Sequence, residues 1–128
     1  MSGRRRPPQT RHGVTRKLEV GAANAYVTLT RDTEGRPCDL LIVLNNDALD
    51  APIDPAHMGW ANLCGTFVGM LFQRGVGVAE IATKMRGYSF EPAGGLGPGG
   101  ARSIPDAIGR WLDEVAMGNT TETEAKHV

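Results

Sequence analysis

Ala25-Tyr-Val-Thr-Leu-Thr30, then Asp32-Thr-Glu-Gly-Arg36, then Cys38-Asp-Leu-Leu-Ile-Val-Leu44: this stretch decides the fold. Its first part is rich in β-branched and aromatic residues, which strands favour. Its middle part is a turn, with Gly35 placed where positive φ is needed. Its last part is a continuous apolar run after Asp39, the pattern of a strand buried on both faces. Upstream, Val14, Arg16, Leu18 and Val20 alternate with Thr15, Lys17 and Glu19, a third strand signal, and Gly21 to Asn24 can turn between the two. The three strands make an antiparallel meander.

Downstream the period changes. Asn45 to Pro55 is polar and reads as a loop, and Asp54-Pro55 is a helix start, with an acid as cap and proline at the first helical position. From there to Gln73, Met58, Ala61, Leu63, Cys64, Phe67, Val68, Met70, Leu71 and Phe72 have the spacing of a largely buried helix. Gly59, Gly65 and Gly69 weaken it by about 1 kcal/mol each, so close packing against a neighbour is expected. Arg74-Gly75 closes it with a positive last turn and a glycine cap. Val78, Ile81, Ala82 and Met85 mark a short second helix that ends at Gly87. Residues 88–102 are rich in Gly and Pro and read as a long connection. Ser103-Ile-Pro-Asp106 is a capping box that opens a third helix, Ile104 to Met117, with Ile104, Ile108, Trp111, Leu112 and Val115 inward. The expected fold is therefore α+β: a three-stranded antiparallel meander followed by about three helices packed on it. Residues 1–13 read as a basic flexible arm, 14–117 as the domain, and 118–128 as a disordered tail.

The 128 residues suit one domain, and 41% hydrophobic with 22% charged residues allows a soluble core. A domain this small can lean on a protein partner or on self-association. Net charge is zero, yet Met1 to Lys17 holds six basic residues and no acid. Arg4, Arg5, Arg6 and Arg11 can make weak, sequence-independent contact with nucleic-acid phosphates. The plainer reading is a solvated terminus. Cys38 and Cys64 stand 26 positions apart, with no Cys-x-x-Cys and no His pair, so neither a zinc site nor a disulfide framework is indicated. His12, His57 and His127 are too scattered for a metal set. No apolar run reaches the roughly 18 residues that a membrane span needs. With no secretory pattern at the start, a cytoplasmic location is expected.

Glycines ahead of a capped helix can cradle phosphate, which would make Arg102, Gly99, Gly100 and Ser103 a ligand site. The pattern lacks Gly-Lys-Ser/Thr, and Asp106 in the first turn would repel an anion. The structural reading, a linker followed by a cap, is the stronger.

Several of these motifs stand in a known order. Arg6-Pro7 with Gly13-Val14-Thr15, Tyr26-Val-Thr-Leu-Thr30, Glu34-Gly-Arg-Pro37, Asp39-Leu-Leu-Ile-Val43, Leu71-Phe-Gln-Arg-Gly-Val76 with Val78-Ala-Glu-Ile81, and Gly99-Gly100 with Ser103-Ile-Pro-Asp-Ala-Ile108 resemble the TSCPD module. That module lies in the C-terminal region of adenosylcobalamin-dependent ribonucleoside-diphosphate reductases. The resemblance runs over residues 6–114. It departs at Ile104, where the eponymous motif has Cys before Pro-Asp. It implies a link to deoxynucleotide synthesis and DNA replication, and a ribonucleotide reductase catalytic chain as partner. It implies adenosylcobalamin only through that partner, since the radical cysteine, the redox pair and the barrel of the full enzymes have no counterpart here. Two function classes follow: a non-catalytic accessory module, or a free-standing interaction protein that binds nucleic acid or a protein through the basic arm.

Overall fold

The computed structural model describes residues 4–20, 23–45, 55–87 and 103–118. Strands β1 (His12–Val20), β2 (Ala23–Arg31) and β3 (Pro37–Asn45) precede helices α1 (Pro55–Gln73), α2 (Val78–Met85) and α3 (Ile104–Ala116). The sheet order is β1-β2-β3, antiparallel throughout, so the expected meander and α+β class are what the chain forms. The expected loop at 46–54, the connection at 88–102 and the tail from 119 lie outside the described residues.

The β2–β3 turn is held by one side chain. Asp32 Oδ1 accepts from the N–H groups of Glu34 and Arg36, both at 2.9 Å, and Gly35 takes φ +81°. Pairing in register sets two faces. Val20, Ala25, Val27, Leu29, Leu40, Ile42 and Leu44 are buried on the inner one. On the outer one Thr15 meets Thr28 at 2.7 Å, and the Lys17 ammonium lies 5.9 Å from the Tyr26 ring centre. The continuous apolar run of β3 is not buried on both faces: Leu41 and Val43 point outward, 54% and 60% exposed.

Helix α1 lies along β3, one of the two edge strands of the sheet. A Cβ on Gly65 would sit 2.5 Å from the Leu40 carbonyl oxygen, and one on Gly69 would sit 3.5 Å from that of Cys38. Gln73 Nε2 donates to the Cys38 carbonyl at 3.1 Å. Carbonyls of the edge strand thus face a helix instead of a fourth strand, one of the ways natural sheets cover an edge. Gly65 and Gly69 have the close packing expected of them. Among the described residues Gly59 does not, since a Cβ there would meet nothing within 4 Å.

The expectation of a largely buried α1 also needs correction. Ala61, Val68 and Phe72 are buried, while Leu63, Phe67, Met70 and Leu71 are exposed. A Schellman turn ends the helix, with Gly75 N–H donating to Phe72 O at 2.9 Å and Val76 N–H to Leu71 O at 3.0 Å. Helices α2 and α3 pack on each other and bury Val78, Ile81, Ala82 and Met85 against Ile104, Ile108, Trp111, Leu112 and Val115. Gly109 permits their crossing, because a Cβ there would lie 2.7 Å from Arg86 N. Among the described residues no helix is long and apolar enough to cross a membrane.

Candidate functional site

Three places bring polar groups together. The first is the start of α3. Ser103 is its N-cap, in extended backbone, and its hydroxyl accepts from the Asp106 N–H at 3.2 Å. The Asp106 carboxylate, 1% exposed, reaches beyond its own turn. It accepts from Gly87 N–H at 2.6 Å, at the end of α2, and pairs with Arg110 Nε at 3.1 Å. Thr83, Arg86, Gly87, Asp106 and Arg110 line a hollow of about 360 Å³ beside it. Each arginine of that hollow already faces an acid, since Arg86 pairs with Asp113 at 3.1 Å. Arg102, Gly99 and Gly100, the other expected members of a ligand site here, lie outside the described residues.

The second is the arm. Arg5 is docked on the body. Its N–H donates to Gln73 O at 2.7 Å, and its guanidinium donates to the carbonyls of Phe72, Gln73 and Pro37. An ion pair with Asp32 at 3.5 Å completes the set. A cation therefore does sit at the C-terminal end of α1, where the helix dipole favours it, but Arg5 supplies it. Arg11 pairs with Asp39 and donates to Pro8 O at 2.6 Å. Arg4 and Arg6 are exposed.

The third is a groove of about 610 Å³ between β3 and α1. Arg4, Asp39 and Gln73 lie along it with Leu41, Val43, Asn62, Thr66 and Met70. Gln73 is 6% exposed, and its Oε1 has no hydrogen-bond partner among the described residues. Sequence reasoning missed this groove. Its one advance signal was the unbroken apolar run of β3, wider than a sheet with a single covered face requires.

The thiols complete the inventory. Burial, with the negative charges of Asp32 and Asp39, pushes the Cys38 thiol up, and burial alone pushes up Cys64. Both are held protonated at neutral pH, the opposite of an activated nucleophile. No three His, Cys, Asp or Glu side chains among the described residues are placed to hold a metal ion.

Neither a curated protein nor a solved structure matches the chain. The family model of the TSCPD domain matches residues 2–116, nearly its whole length. With the meander, the Ser103-x-x-Asp106 cap and the order of motifs on that same span, this chain belongs to the TSCPD domain family.

Proposed function

We propose that this chain is an accessory module of ribonucleotide reduction, acting with a ribonucleotide reductase catalytic chain and performing no turnover alone. The family supports the association with ribonucleotide reductases. The observation that carries the non-catalytic reading is the state of the thiols. Reduction of this kind uses a thiyl radical and a pair of reducing thiols. This chain has two cysteines, one on β3 and one on α1, both held protonated by burial.

Adenosylcobalamin, implied by the family association, supplies the radical in such enzymes. The residues here do not fit it, because two inert thiols cannot receive a radical and also return two electrons. The module's own contribution is binding, and a reducing cytoplasm suits its free thiols.

Sedimentation of this chain mixed with an adenosylcobalamin-dependent catalytic chain tests the reading. Co-sedimentation in a fixed ratio is expected. Independent sedimentation at micromolar concentrations, with the catalytic rate unchanged, would refute it.

A further inference from the structure

Helix α1 carries no charged residue between Pro55 and Gln73 and has large apolar side chains on more than one of its sides. Such a helix belongs where both of its sides are covered. Among the described residues one side is covered, by the packing of Ala61, Val68 and Phe72 on the core. Opposite them, at spacings of three and four residues, Gly59, Leu63, Phe67, Met70 and Leu71 share a face. Leu63 and Phe67 are 55% and 56% exposed. Across Asn62 and Thr66 the apolar surface reaches Leu41 and Val43 of β3. Every exposed large apolar side chain of the described residues except Met117 lies on α1 or β3.

We propose that a second copy of this chain covers this face, with α1 packed on α1 about a two-fold axis. Three observations select that occupant. First, a two-fold interface sets a surface against itself, so any charge on it meets its like. The α1 stripe itself has none, Arg4 and Asp39 standing in the groove beside it, and depletion of charge is what an interface core requires. Second, six large apolar side chains here, Leu41, Val43, Leu63, Phe67, Met70 and Leu71, are 37–60% exposed, an apolar patch on the order of the 800 Å² per partner in standard interfaces. Third, Gly59 sits on the stripe, and a Cβ there would meet nothing within 4 Å among the described residues outside its own helix backbone. Its missing side chain is unexplained by the described residues and gives a facing helix room to approach. The inference is independent of the proposed link to ribonucleotide reduction.

Sedimentation equilibrium of the full chain tests it. The expected mass is twice 13.7 kDa at micromolar concentrations, falling to 13.7 kDa for Phe67→Glu with its helix content intact. A wild-type protein that stays at 13.7 kDa, or a folded Phe67→Glu that still dimerises, would overturn the proposal. Should Phe67→Glu fail to fold, oxidation of Gly59→Cys decides. A covalent dimer joined through the introduced thiols is expected, and a folded protein that forms none contradicts the arrangement. A catalytic chain that binds monomeric wild type but not Phe67→Glu would give the face to that chain, and the two-fold dimer would fall.

Discussion

Asp106 illustrates how far a residue's role extends beyond its own segment. The cap at Ser103 is local, three residues long, and is readable from the sequence. The bond from Gly87 N–H spans 19 residues and depends on α2 lying across α3, which no local pattern encodes. Ser103→Ala should lower stability by about 1 kcal/mol, as lost caps do. Asp106→Ala should cost more, about 1.5–3 kcal/mol, because it removes a charge-assisted bond to Gly87 N–H and the acid partner of Arg110. Thermal unfolding of the two variants ranks them, and equal losses would reduce Asp106 to a cap residue. Arg5 makes the same point. As part of a basic run it reads as a phosphate contact, whereas in the fold it satisfies the last carbonyls of α1. Arg5→Ala should lower the midpoint by the equivalent of about 1–2 kcal/mol, discounted for its partial exposure, and Arg6→Ala should leave it unchanged.

Asp32 adds a pH dependence at this scale. Burial alone would raise its pKa, but the N–H groups of Arg36 and Glu34 and the Arg36 guanidinium outweigh burial and hold it below the ordinary 3.8. A folded pKa below the unfolded one contributes stability that is present above the unfolded value. That stability is lost as pH falls through the folded pKa. Acid unfolding should therefore be shallower below about pH 4 in Asp32→Asn than in wild type. An unchanged acid limb in a folded variant would show that the turn does not depend on the charge.

Among the elements, α1 and β3 are the informative pair. The bounds of both were readable from periodicity, because strand alternation, proline and glycine punctuation are local. Their surroundings were not. An apolar run looks the same whether its second face is covered by its own chain or by another, so Leu41, Val43, Leu63 and Phe67 all read as core. The glycines divide for a physical reason: Gly65 answers the Leu40 carbonyl, and Gly59 answers nothing among the described residues. Gly65→Ala should destabilise although alanine favours helix by about 1 kcal/mol, since its Cβ would push α1 off the edge of β3. A raised unfolding midpoint for Gly65→Ala would show that α1 is not held against that edge.

For the whole molecule, the sheet and the α2–α3 pair enclose a single core, and α1 closes the sheet edge while turning an apolar face outward. Order of motifs and local periodicity gave the class, the strand order and the helices. The groove, the docked arm and the uncovered face arise from how elements meet, which is why the arginines of the arm and the glycines before α3 stood out in the sequence and Gln73 did not. The thiols fit the same account. With Cys64 held protonated by burial, alkylation at neutral pH should be much slower in the folded chain than in denaturant, and equal rates would show that it is open to solvent. The measurement that bears most directly on the account is ribonucleotide turnover by the pure chain supplied with adenosylcobalamin and a dithiol, beside the catalytic chain alone and the two combined. The account predicts no deoxyribonucleotide from the pure chain and a rate for the mixture that differs from that of the catalytic chain alone. Turnover by the pure chain, persisting when Cys38→Ser and Cys64→Ser are combined, would contradict it.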